Sequence, residues 1–488
     1  MACTTLLVGK KASNDGSTMI ARNDDSPGGR FSAKKLAIME PQDQPRHYKS
    51  VLSHVEIDLP DNPLRYTYIP NVDKSKGYWG AAGINSENVG MTATETITTN
   101  ERVMASDPLV ELIEEDGDKK EVPGGIGEED LVMIVLPYIH SAREGVIRLG
   151  QLLEKYGTYE NNGIAFNDGN EIWWLETIGG HHYIARRVPD DRYVVMPNQF
   201  GLDNFDFEDA YGEKKEHMCS PDLKEFVEKN HLDLGLDGKF NPRLAFGSHA
   251  DSDHIYNTPR AWFIGRYFNP RSFKWDGEDA DFTPSSDDIP WSFVPERKIT
   301  LEEVKYALSS YYQGTPYNPY AHNGDASMRG AFRPIGISRT DDLAVLTIRS
   351  DLPKEVASVE WFSFGCNAFN ALVPFFPQGG KVPEYYANTT LDVDSDNFYW
   401  ANRLIASMAD AHFNMTAIHI ERYQDALQGA GRLAVKKAEL AASKGELNLD
   451  AANEAMAATA RKLTTDTLGK VLYATSCLMK NGFARSDN

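Results

Sequence analysis

Cys3-Thr4-Thr5-Leu6-Leu7-Val8, then Asn14-Asp15-Gly16-Ser17, then Thr18-Met19-Ile20-Ala21-Arg22-Asn23-Asp24-Asp25: this opening stretch decides the fold. Two short runs rich in Thr, Leu, Ile and Val flank an Asn-Asp-Gly-Ser turn signal, which predicts a β-hairpin. A hairpin here carries the start of the chain and the Arg22–Asp25 segment into one shared region.

That juxtaposition gives Cys3 a chemical reading beside its plain one. A lone cysteine reads first as a small buried core residue. With Met1 and Ala2 removed, however, one residue would supply both a thiol and an α-amine. The reference pKa values, about 8.5 for a thiol and about 7.7–8.0 for an α-amine, let the amine act as base for its own side chain near neutral pH. A guanidinium at Arg22 would favour the thiolate, and a carboxylate of the same segment would orient the amine. Taken alone, Arg22–Asp25 also reads as a solvated charged turn.

Further strand-like runs follow at 90–97, 163–166, 171–176, 183–187 and 193–196, most of them bounded by Gly, Asn, Asp or Pro. Between them, 128–138 and 142–156 carry apolar residues at helical spacing. Residues 270–300, rich in Asp, Pro and Ser, read as an exposed loop. Residues 398–480, rich in Ala, Leu, Glu and Lys, read as two to four helices, with 481–488 a frayed tail. This divides the chain into a catalytic domain over 3–397 and a helical C-terminal subdomain over 398–488.

Composition excludes several function classes. The 71 acidic residues outnumber the 50 Lys plus Arg, and the formal charge of −21 repels phosphate backbones, so no nucleic-acid partner is expected. No apolar run is long enough to span a membrane, and MACTTLLVGKK does not read as a secretory signal. The four cysteines form no C-x-x-C pair and no disulfide framework. They point to a reducing, cytoplasmic setting. No H-E-x-x-H or similar motif occurs, so metal-independent catalysis with no cofactor is expected. Adjacent His181 and His182 would face opposite sides of a strand and read as structural, as do His412 and His419 in the helical region.

Six segments in order carry a resemblance. The opening C-T-T followed by D-G-S-T-x-I-A-R-N-x-D resembles the N-terminal-nucleophile cysteine hydrolases, which include bile salt hydrolases, penicillin V acylases and secernins. More closely, the chain resembles the bacterial dipeptidase family of that group, of the dipeptidase A type. Gly83–Met91 is similar to its G-x-N-E-x-G turn, with extra residues inside. Trp173-Trp174-Leu175-Glu176-Thr177 with Gly179-Gly180-His181, Pro189-Asp190-Asp191 with Pro197-Asn198-Gln199-Phe200, Thr258-Pro259-Arg260-Ala261-Trp262, and Tyr312-Gln313-Gly314-Thr315-Pro316-Tyr317 match further family segments. The similarity runs from Cys3 to about residue 380.

The resemblance implies an α+β fold, an αββα sandwich of two antiparallel sheets, with a C-terminal helical extension. It implies a cysteine dipeptidase that cleaves dipeptides through a thioester on Cys3. Arg22 would lie beside the thiolate, Asp25 would hold the α-amine, and Asn198 would donate its amide to the oxyanion. Arg260 would be a second active-site arginine. Glu95 falls near the position of a second oxyanion residue and is expected at the substrate. Relatives of this kind imply a homo-oligomer. The alternatives are an acylase of N-acyl amino acids or bile-salt-like amides, or a catalytically silent secernin-like protein. Met1 and Ala2 depart from the pattern, because Ala2 must also be lost to expose Cys3.

Overall fold

The computed structural model describes residues 3–93 and 95–480. Loss of Met1 and Ala2, and the tail at 481–488, lie outside the described residues. The opening stretch forms the expected hairpin. Strand Thr4–Val8 pairs antiparallel with Thr18–Asp25, and Thr5 stands opposite Arg22. In the turn, Asp15 accepts from Ser17 N and Oγ at 3.1 and 2.6 Å, and Gly16 supplies the left-handed φ of 81° that the reversal needs.

This hairpin is the centre of a seven-stranded antiparallel sheet. Its order is Ser292–Phe293, Tyr193–Met196, Thr4–Val8, Thr18–Asp25, Thr340–Ile348, Ser358–Phe364 and Val373–Phe375. A second antiparallel sheet runs His217–Cys219, His182–Arg187, Ile172–Ile178, Asn162–Asn167, Gly90–Thr92 and Ala82–Ile84, with Glu95–Thr96 also on Asn162–Asn167. The single strand read over 90–97 is therefore two short pieces.

Side-chain alternation explains the layering. Leu7, Ile20 and Leu346 of the first sheet share one buried cluster with Trp174, Ile178 and Ile184 of the second. Their neighbours Leu6, Met19, Ala21 and Val345 point the other way, onto Trp262 of helix Thr258–Phe268 and Val304 of helix Leu301–Leu308. Trp173, Leu175 and Phe166 pack outward on helices Leu131–Val135 and Ala142–Tyr156. The result is helix, sheet, sheet, helix, the sandwich that the family resemblance implies.

Three helices, Phe398–Ala411, Phe413–Lys444 and Leu449–Ser476, follow at the C-terminus. They cover the Ser358–Phe364 and Val373–Phe375 edge of the first sheet, and Tyr399, Tyr423 and Met456 join its inner cluster.

Two expectations are corrected. Apart from strand Ser292–Phe293, residues 270–300 are irregular but not simply exposed: Trp275, Phe282, Trp291 and Phe293 are buried, because aromatics spaced along a polar segment pin it to the core. His181 and His182 do not diverge. Gly179 turns the chain with φ 55°, only His182 enters the strand, and both Nδ1 atoms meet the Asp107 carboxylate, at 2.9 and 2.6 Å.

Candidate active site

The hairpin register sets the site. Residues opposite one another in an antiparallel pair share a face. Thr5 opposite Arg22 therefore puts Cys3, Arg22 and Asp24 on one side of the sheet, and Asn23 and Asp25 on the other. Arg22 Nη2 lies 2.9 Å from Cys3 Sγ, 3.2 Å from Asp24 Oδ1 and 2.7 Å from Glu128 Oε1. Arg22 Nη1 donates to Ala81 O at 3.3 Å. Cys3, Asp24 and Glu128 each present an atom within 4.8 Å of the others. A divalent cation there would have to displace the guanidinium already bonded to all three.

Charge around the thiol is finely opposed. Burial pushes the Cys3 thiol well above its ordinary value, Arg22 pulls it down, and Glu95, Asp24 and Glu128 push it up. A buried thiol of this kind needs a nearby base before it can attack. Burial also opposes ionisation of Asp24, but Lys34 and Arg22 outweigh it and hold that carboxyl below its ordinary value. Lys34 Nζ is 2.6 Å from Asp24 Oδ2 and donates to Trp79 O at 2.9 Å.

A second arginine joins the other expected residues. Arg260 lies in the first turn of helix Thr258–Phe268, where the helix dipole disfavours a cation. Acceptors compensate. Its Nη1 donates to Cys3 O and, at 2.7 Å, to Thr4 Oγ1. Its Nη2 donates at 2.7 Å to Asn198 Oδ1 and to Asn257 Oδ1. Burial, and then Arg333, bring Arg260 down to about 10. The contact to Oδ1 fixes the Asn198 amide with Nδ2 as its donor end, and Nδ2 reaches Thr96 O at 2.9 Å.

Glu95 is fully buried. Its Oε2 accepts from Thr5 Oγ1 at 2.9 Å, and its backbone pairs with Gly163. Burial pushes it up to about 8, although Arg260 and Arg22 pull it down. The structure thus brings Cys3, Arg22, Asn198, Arg260 and Glu95 together. Asp25 faces away from the thiol. Its carboxylate accepts from Arg333 Nη2 and, at 2.6 Å, from Thr340 Oγ1.

Three residues of this centre have no counterpart in the sequence reading: Asp24, Lys34 and Glu128. Asp24 was within reach, since strand alternation assigns the even positions of Thr18–Asp25 to the Cys3 face. Lys34 and Glu128 carry no local signal.

A cavity of about 320 Å³ opens beside Asp24 and Lys34, with Arg30, Asp73, Lys76 and Trp79 on its wall. Its size lies at the lower end of the roughly 300–1,000 Å³ usual for small-ligand sites, which suits a short substrate. Cavities of about 300 and 440 Å³ against the C-terminal helices contain neither Cys3 nor its partners. Asp24 and Lys34 on its wall therefore assign the 320 Å³ cavity to the site.

Comparison with known proteins agrees with this geometry. The profile described as peptidase family C69 matches residues 2–426. The chain is 52% identical to a dipeptidase of Bifidobacterium longum (strain NCC 2705) across the whole of both chains. It is 50% identical to a probable dipeptidase A of Streptococcus pyogenes serotype M3 (strain SSI-1), again over 100% of each. Dipeptidase A of Lactobacillus helveticus is 43% identical over 96% of both chains. With a buried thiol held by an arginine at its hairpin and a family match spanning most of its length, this chain belongs to peptidase family C69.

Proposed function

We propose that this protein is a cysteine dipeptidase, with Cys3, exposed as the N-terminal residue, as its nucleophile. The observation that carries the reading is the Arg22 Nη2 to Cys3 Sγ contact of 2.9 Å inside a buried polar site. The dipeptidase names of relatives 43–52% identical supply the substrate class.

The α-amine of Cys3 takes the thiol proton, and the thiolate attacks the scissile carbonyl carbon. The resulting oxyanion is met by the Asn198 amide, oriented by Arg260. The tetrahedral intermediate collapses, the C–N bond breaks, and the α-ammonium protonates the leaving amine. A water molecule, deprotonated by the same amine, then attacks the thioester and releases the second amino acid. Asp25 serves this cycle by orienting the matured α-amine, with Arg333 and Thr340 fixing its carboxylate. Glu95 borders the substrate, and Arg22 stabilises the thiolate.

The same reading places the enzyme in the cytoplasm as a homo-oligomer. Four free cysteines, Cys477 among them exposed, suit a reducing compartment. Exposed Leu433, Leu440, Leu472 and Tyr473 on the C-terminal helices suit a partner copy.

The test is a panel of plain dipeptides against N-acyl amino acids and bile-salt-like amides, with wild type and Cys3→Ala. Cleavage of dipeptides alone, lost in the variant, is expected. Preference for acyl amides would make the protein an acylase. Full activity in Cys3→Ala would move the nucleophile elsewhere.

A further inference from the structure

We propose that Glu128 recognises the free α-ammonium of the substrate, and so selects dipeptides whose acyl-donating residue has an unblocked amino group. The inference rests on the Cys3 dipeptidase reading and assigns one end of its substrate.

Glu128 lies 106 residues from Arg22 in sequence and 2% exposed in the structure. Its Oε1 is spent on Arg22 Nη2 at 2.7 Å. Its Oε2 is buried and has no hydrogen-bond partner among the described residues. Buried carboxylate oxygens are normally satisfied, so an open one beside a nucleophile points to a missing cation or donor.

Charge around it favours a cation. Asp24 is neutralised from two sides, by Arg22 and Lys34. Among the described residues Glu128 pairs with Arg22 alone, and shares that guanidinium with Asp24 and the thiol. Glu160 is a second acid nearby, accepting from Glu128 N at 2.8 Å, although burial pushes it up to about 7. An ammonium can add at Oε2 without displacing Arg22.

The reach is right. In a dipeptide the α-nitrogen is roughly 2.5 Å from the scissile carbonyl carbon. A carbonyl carbon poised about 3–3.5 Å from Sγ therefore sets the ammonium within a few ångströms of the sulfur. Glu128 has a carboxylate oxygen within 4.8 Å of Sγ. The cationic Arg30 and Lys76 on the cavity wall suit the carboxylate at the opposite end.

The experiment compares kcat/KM for Ala-Ala and for its des-amino analogue, N-propionyl-alanine, in wild type, Glu128→Gln and Glu128→Asp. Wild type is expected to prefer Ala-Ala by about 100-fold or more, since a site built for a polar group rejects an analogue lacking it. Glu128→Gln should lower that preference to within about tenfold of unity, mainly through KM for Ala-Ala, while Glu128→Asp retains it. A parallel loss on both substrates would overturn the inference and leave Glu128 as a support for Arg22. Equal cleavage of both substrates by wild type would also overturn it while leaving the Cys3 hydrolase intact. Cleavage of neither would remove the dipeptidase reading itself.

Discussion

Arg22 and Cys3 meet across the opening hairpin, with Nη2 2.9 Å from Sγ, and the same nitrogen bonds Asp24 and Glu128. One cation therefore serves three anionic or acidic partners in a region closed to water. Removing it would strand Glu128 as well as the thiol, while Asp24 would keep Lys34.

Arg22→Met should accordingly slow alkylation of Cys3 by iodoacetamide near pH 8 by about tenfold or more, because an adjacent opposite charge is worth 1–3 pKa units. It should also destabilise the fold by about 3–5 kcal/mol, the usual effect of breaking a buried ion pair from one side. Alkylation at the wild-type rate in a folded variant would show that Arg22 does not tune the thiol.

Asn198 separates a donor role from a scaffolding one. Asn198→Asp keeps an oxygen for Arg260 but loses the amide donor. Both Asn198→Asp and Asn198→Ala should lower kcat by about 10²–10³ with KM little changed. An active Asn198→Asp would confine Asn198 to holding Arg260.

The buried ion pair of Arg333 and Asp25 calls for a double-mutant cycle. Asp25→Asn and Arg333→Met should each cost about 3–5 kcal/mol in urea unfolding, and the double variant much less than their sum. Additive losses would contradict a shared contact. In the proposed mechanism Asp25→Asn also lowers kcat, since the matured amine loses its orienting carboxylate.

Glu360 makes stability depend on pH. It lies fully buried in strand Ser358–Phe364, and burial pushes it up to about 8 against a weaker opposing pull from Thr67. The folded protein then binds more protons than the unfolded chain between the ordinary carboxyl range and pH 8, so this residue lowers stability as pH rises through that window. Tm should fall from pH 6 to pH 9, and fall less in Glu360→Gln. An identical pH profile in the variant would contradict this.

Legibility in the sequence followed locality. The hairpin from Cys3 to Asp25 was readable because turn chemistry and strand composition lie within one short stretch, and it placed Arg22 beside Cys3. The helix at 142–156 was readable from periodicity, and those beyond 398 from a composition rich in strong helix formers. Asn198 and Arg260 were recognisable only through family resemblance, since a Pro-Asn turn and a helix N-terminal arginine are ordinary alone. What joins them is one guanidinium touching Cys3, Thr4, Asn198 and Asn257. Glu128 and Lys34 were not readable. Their importance comes from burial of charge contributed by distant segments, which no local pattern records. The R-N-x-D pattern drew attention to Asp25, whereas strand alternation turns Asp24 to the thiol.

The central claim is that Cys3 works as an N-terminal residue, and intact mass measured on the same sample as dipeptide hydrolysis tests it most directly. Active wild type should lack Met1 and Ala2, and Cys3→Ala should be inactive. Full activity in a chain that still begins with Met1 or Ala2 would contradict the account.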